Sequence, residues 1–273
     1  RTPHAIDFVD LIDPLVSPSR LQRLLYGIGY LPTWTTVCSD YLMSYLVGKG
    51  FPKDMTFKIP MGADTTKVRH VEKAEAREEL GLSQEERLVG FELGMGMWDE
   101  YVDLLLASLH ELLEHSARAK LVFIGQVPGW SDRIRCKSHA MGLDRDVIHT
   151  GVLRTDQLTS WLGACDVLVL PLRNTPYDQA RQPGRLGDYL AAGRPVVATA
   201  VGEVGNIVSK GCGLLARPND PLDFASRILT LLEDCNLMSE MGRVGRYLAE
   251  NDYSWKKIAN DLEEVYRKML GCA

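Results

Sequence analysis

Short apolar, β-branched runs alternate along this chain with longer segments of helical period. No other feature narrows the possible folds as far. Strands are predicted at residues 35–38, 58–60, 88–93, 121–125, 147–151, 167–170, 195–199 and 213–216. Helices are predicted between them, at 41–49, 74–80, 100–115, 132–141, 157–163, 185–192, 221–233, 238–250 and 255–270. In the helix from residue 100, Leu104, Leu105, Ser108 and Leu112 recur with the period of one buried face. Strands that are apolar on both faces and separated by helices specify a parallel sheet covered on both sides. The expected class is α/β, with a Rossmann-like parallel sheet and helices on both faces.

Within that frame, 183–199 (PGRLGDYLAAGRPVVAT) carries the most chemistry. It sets Arg185 and Asp188 on the first turns of a short helix, ends the helix at Gly193 and opens a strand after Pro195. A helix N-terminus with a basic residue grips an anion, and a carboxylate one turn on suits a vicinal diol such as ribose. The loop before it, 173–185, holds Arg173, Arg181 and Arg185, whose planar forks suit diphosphate oxygens. The competing reading pairs Arg181 and Arg185 with Asp178 and Asp188 as surface ion pairs of little energetic weight. Two more glycine-bearing loops follow strands. One is 94–99, with Gly94 and Gly96, which lacks the lysine of a P-loop and the third glycine of a dinucleotide fingerprint. The other is 125–131, which reads as a surface turn with a packed Trp130.

Composition excludes several classes. A net charge of −5 argues against a sequence-independent nucleic-acid binder. No apolar run approaches the roughly 20 residues of a membrane span. The six cysteines are far apart, without a CxxC pair or a His-Cys metal cluster. Cys38 and Cys165 lie in apolar strand contexts, so reduced core thiols and a cytoplasmic location are expected. His149 reads as packed core, and the other five histidines as surface. The basic amphipathic stretch 20–26 reads as a buried helix face, with membrane contact the weaker alternative. The chain begins at Arg1 without a methionine, and 6–15 reads like the middle of a protein, so a fragment is the expectation.

Asp166-Val-Leu-Val-Leu-Pro171 followed by 185–197 resembles the donor-binding half of retaining GT-B glycosyltransferases, the glycosyl transferases group 1 of the glycogen-synthase and mannosyltransferase-like kind. Ile59-Pro-Met-Gly-Ala-Asp64 is similar to that family's domain-crossover motif. Leu121–Gly125, Val147–Val152, Gly211–Asp220 and Tyr253-Ser-Trp255 follow the family's later landmarks in order, so the likeness covers about 35–270. It implies a sugar transfer, with retention, from a nucleotide-diphosphate sugar such as a UDP- or GDP-sugar to a glycan, lipid or small-molecule acceptor. No metal or other cofactor is implied. It also implies donor-binding roles: Gly94 and Gly96 facing the diphosphate, Val152 and Leu153 at the base, Arg181 and Arg185 near the diphosphate, Asp188 on ribose, and Leu186 in the same donor-binding stretch. Catalytic residues are not assigned.

The sequence departs from the family in two places. The family's sugar-contacting glutamate falls on Ala180, and its phosphate-binding Arg and Lys fall among 95–101, with Glu100 near the lysine position. Arg181 and Arg185 are the candidates to replace that charge. The expected division is 1–62 as an incomplete acceptor-side domain, 63–77 as linker, 78–252 as the nucleotide-sugar domain and 253–273 as a crossover helix. Such a fragment is expected to be inactive alone, and the expected location is cytoplasmic, with a peripheral position at the inner face of the membrane as the alternative. Two alternatives stay open: a nucleotide-binding module without catalysis, and a sugar-nucleotide epimerase of the same fold.

Overall fold

A computed structural model of the chain describes residues 5–8, 34–94, 98–115 and 118–271. Two parallel sheets organise them. The smaller holds β1 (Ala5–Phe8), β2 (Trp34–Val37) and β3 (Thr56–Lys58) in that order, with α1 (Asp40–Gly48) after β2. The larger is built from β4 (Arg87–Glu92), β5 (Ala119–Ile124), β6 (Val147–His149), β7 (Val167–Leu170), β8 (Val196–Thr199) and β9 (Gly213–Ala216). Its strand order is β6-β5-β4-β7-β8-β9, parallel throughout. The order reverses between β4 and β7, and such a switch point opens a crevice at the carboxyl ends of those two strands.

The helices of the larger unit are α2 (Lys73–Glu79), α3 (Asp99–Glu114), α4 (Trp130–Ala140), α5 (Thr155–Ala164), α6 (Pro176–Ala180), α7 (Gly184–Ala192), α8 (Gly202–Val208), α9 (Pro221–Glu233) and α10 (Cys235–Glu250). All four residues of β7 and all four of β8 are buried, as strands covered on both faces require. α9 opens on Asp220, whose side chain accepts from the Asp223 N–H, with Pro221 pre-set at the first helical position. α7 closes on Gly193 in the left-handed region at φ 69°, which frees Arg194 and Pro195 to lead directly into β8. A Cβ on Gly187 would lie 2.9 Å from the Gly62 carbonyl oxygen, so only glycine lets α7 sit against the crossover segment.

Asp166, immediately before β7, is buried and holds the amino edge of the sheet together. It accepts from the Leu88 N–H at 2.7 Å, the Arg77 guanidinium at 2.8 Å and the Lys73 ammonium at 2.7 Å. Arg77 and Lys73 belong to α2, so the end of the 63–77 segment is helix packed on the larger unit, and Ala63 and Val68 are buried with it. The last helix, α11 (Trp255–Leu270), buries only Ile258 and Val265 and brings the Lys268 ammonium 5.5 Å from the Phe57 ring of β3.

Several boundaries differ from expectation. The strand predicted at 58–60 forms two residues earlier, as β3, because Pro60 has no N–H for a ladder. β1, α6 and α8 have no counterpart in the sequence pattern. They are four, five and seven residues long, too short for a period to show. The 20–26 stretch lies outside the described residues. Five cysteines are free thiols, with Cys38, Cys165 and Cys212 buried, and Cys272 lies outside the described residues.

Candidate functional site

Two chain segments meet at the switch point: the end of β4 with the residues after it, and the first turns of α7. Arg185, in the first turn of α7, donates to the Glu92 carbonyl oxygen at 2.8 Å and lies with its guanidinium 5.2 Å from the Phe91 ring centroid. A Cβ on Gly94 would stand 3.1 Å from an Arg185 Nη, so this glycine leaves room for the arginine. The Glu92 N–H donates to the Tyr189 hydroxyl at 2.8 Å, which fixes the end of β4 onto α7. Gly96 lies outside the described residues.

One turn beyond Arg185, the Asp188 carboxylate faces the Lys67 ammonium at 4.0 Å. Burial raises the Asp188 carboxyl above the usual aspartate range, and Asp64 adds to this while Lys67 opposes it. Burial pushes the Glu92 carboxyl up to about 7, Asp188 adds to the rise, and Arg185 and Lys67 oppose it. The Glu92 Oε2 atom is buried with no hydrogen-bond partner among the described residues.

A cleft of 270 Å³ continues from this mouth. Its lining includes Lys67, Glu92, Gly125, Gln126, Val152 and Leu153. Val152 is 79% exposed on the wall of the cleft. Gly151 takes φ 72° and turns the chain away from β6 so that 152–154 can line the cleft.

Two expected ligands are used otherwise. Arg181 is buried beside Asp178 (3.3 Å) and donates to the Tyr101 hydroxyl at 2.9 Å. Asp178 is fully buried and also accepts from Tyr101 at 2.5 Å and from the Arg173 main-chain N–H and Nε at 3.0 Å each. The ion-pair alternative for Arg181 is therefore the arrangement found, but in the interior, where it holds the 173–181 loop on α3. Leu186 is fully buried, with its side chain in the core and its N–H on the Pro183 carbonyl at 3.0 Å. Arg185 thus remains as the cation that the loop directs to the switch point.

Sequence reasoning missed Glu92 and Lys67. A glutamate ending an apolar strand at the carboxyl edge was a readable signal for the first. Lys67 meets its partner only through the tertiary fold, and no local pattern marks it. His149 stacks on Phe123 at 5.7 Å, as a packed strand residue would. A larger cavity, 550 Å³, lies at the opposite edge of the sheet and includes Arg194 and Arg246. Those guanidiniums bond the Gly163 and Ala191 carbonyls at the C-terminal ends of α5 and α7, which is a capping role. Among the described residues no group of three or more His, Cys, Asp and Glu could hold a metal ion, and no helix is long and apolar enough to cross a membrane.

Comparisons with known proteins bear on the family and the fold. The model of the family "Glycosyl transferases group 1" matches residues 88–234, more than half of the chain. A D-inositol 3-phosphate glycosyltransferase of Segniliparus rotundus is 27% identical over 264 residues, covering 93% of this chain and 56% of that protein. An uncharacterized glycosyltransferase of Methanocaldococcus jannaschii is 32% identical over 115 residues, 42% of this chain and 31% of that protein. The chain thus spans little more than half, or less, of these curated relatives' length. Among solved structures, sucrose-phosphate synthase of Thermosynechococcus elongatus superposes with a TM-score of 0.79 at 21% identity, over 96% of this chain and 65% of that one. HepE of Anabaena, in complex with UDP-glucose, gives 0.77 at 17% identity, over 97% and 72% of the two chains. Matched over most of its larger unit and sharing this architecture, the chain belongs to the glycosyl transferases group 1 family, with a fold of the GT-B type.

Proposed function

We propose that this chain is the donor-binding part of a retaining glycosyltransferase that takes a sugar from a nucleotide-diphosphate sugar. In this reading Arg185 and the N-terminus of α7 hold the diphosphate, Asp188 accepts from the ribose hydroxyls, and the base lies between Gly125–Gln126 and Val152–Leu153. Gly94, just after β4, leaves the diphosphate room. Arg185 carries the reading, because it brings a cation to the helix end and switch point where an anion is best stabilised. Arg185 and the helix dipole would also offset the charge that grows on the leaving nucleotide diphosphate, so the reading calls for no metal. UDP-glucose in the HepE complex and the inositol phosphate in the relative's name favour a nucleotide-sugar donor and a polyol-type acceptor. The free buried thiols fit a cytoplasmic location.

A second reading, a nucleotide-binding module without transfer, draws on Ala180. It is fully buried among Val37, Leu42 and Leu46, and its carbonyl accepts from the Ser39 hydroxyl, so no carboxylate meets the sugar there. A titration of UDP-, GDP-, ADP- and dTDP-sugars into the chain tests the donor assignment, and binding of none of them removes it. Sugar transfer by the longer gene product, where one exists, separates the two readings. Binding without turnover selects the module.

A further inference from the structure

Two carboxyl groups stand together at the mouth of the cleft, Glu92 in its lining at the end of β4 and Asp188 just outside that lining on α7, close enough to act on Glu92. The remaining charged groups facing Glu92 are Arg185, on α7, and Lys67, on the crossover segment. Arg185 directs one Nη to the Glu92 main-chain oxygen, and Lys67 stands nearest Asp188. The Tyr189 hydroxyl takes the Glu92 N–H. That leaves the Glu92 Oε2 atom buried with no hydrogen-bond partner among the described residues, while the same side chain lines the 270 Å³ cleft. A buried, under-bonded carboxylate is costly, and a second carboxylate in the same mouth makes ionising both more so. A neutral acid removes both costs and turns the group from acceptor to donor.

We propose that Glu92 is a donor-binding residue that works as a neutral acid, giving its proton in a hydrogen bond to a diphosphate oxygen of the nucleotide-sugar. The inference rests on the nucleotide-sugar reading of the cleft. Ionised, Glu92 would repel the diphosphate that Arg185 attracts. Protonated, it adds a second donor opposite Arg185. Its carboxyl is held near 7, so the acid form is available around neutrality, and a bound diphosphate favours that form further. Binding then draws a proton from solvent onto Glu92 whenever the free side chain is ionised. No covalent bond changes.

Calorimetric titration of UDP-glucose, and of GDP-mannose in parallel, into the 273-residue chain at pH 6 and pH 8 tests this. A nucleotide-sugar diphosphate has no proton that titrates between those values, so any pH effect belongs to the protein. The affinity is expected to weaken about tenfold from pH 6 to pH 8, with proton uptake at pH 8 seen as a buffer-dependent heat. Glu92→Gln, whose amide still donates, should hold its affinity at pH 8, while Glu92→Ala should be weak at both. Asp188→Asn should keep a pH dependence, with a lower midpoint. An affinity that changes less than twofold over this range overturns the inference, as does a Glu92→Gln protein with the wild-type pH dependence. If neither nucleotide-sugar binds at pH 6, the reading of the cleft fails and this inference with it.

Discussion

The cluster around Asp178 and the cluster around Asp188 each set carboxylate against arginine at the carboxyl edge of the same sheet. Around Asp178 both carboxylate oxygens accept hydrogen bonds, from Tyr101 and Arg173, and Arg181 stands as an ion-pair partner at 3.3 Å, although its Nε makes no hydrogen bond among the described residues; the carboxylate is fully buried. The Arg173 guanidinium also lies 3.9 Å from the Trp98 ring centroid, which adds a cation–π contact. Around Asp188 the carboxyl groups have fewer partners among the described residues. Lys67 stands 4.0 Å from Asp188, the Glu92 Oε2 atom has no hydrogen-bond partner among those residues, and one Arg185 Nη donates to the Glu92 main-chain oxygen. Residue type does not separate the structural carboxylate from the one proposed to bind a ligand. What separates the two carboxylates is how many bonds the described residues already give them.

The sharpest way to break that comparison is Asp178→Ala. It leaves the buried Arg181 and the half-buried Arg173 without this carboxylate and should cost about 3–5 kcal/mol in a urea unfolding titration. A loss below about 1 kcal/mol would mean that the cluster is not the closed network described. Glu92→Gln should act in the opposite direction. A carboxyl whose folded value is raised holds its proton longer when folded, so its contribution to stability falls as pH rises from the ordinary range near 4.5 to about 7. Glu92→Gln should therefore be more stable than the wild type at pH 8, by up to about 3 kcal/mol, with the gap closing toward pH 5. Melting temperatures of both proteins across that range check the sign, and a gap that widens on acidification contradicts it. Lys67→Ala gives the smallest effect. Its ion pair is half exposed and long, so stability should change by less than about 1 kcal/mol in the same unfolding assay.

Many of the elements around these two clusters are legible in the amino-acid sequence. β7, β9, α9 and α11 fall on their predicted residues, because buried parallel strands and capped amphipathic helices each carry a clean period. The strand order, and with it the switch point, is not legible, since the pattern does not say which strands pair. Arg185 and Asp188 stand out by where they sit in a helix start. Arg181 looks equally good by the same criterion. Only the fold shows that it points inward to Asp178 while Arg185 reaches Glu92. The buried position of Ala180 in the smaller core likewise depends on two segments far apart in sequence, α1 and α6.

In the proposed function Arg185 and Arg181, four residues apart, do different work. Calorimetric titration of the tightest-binding nucleotide-sugar into wild type, Arg185→Ala and Arg181→Ala, each shown to be folded, tests that division most directly. Arg185→Ala should weaken binding roughly 10- to 100-fold, the loss of one charge-assisted contact to phosphate, while Arg181→Ala should lower stability and leave the dissociation constant within about threefold. Unchanged affinity in Arg185→Ala, or a larger loss in Arg181→Ala, would contradict the assignment.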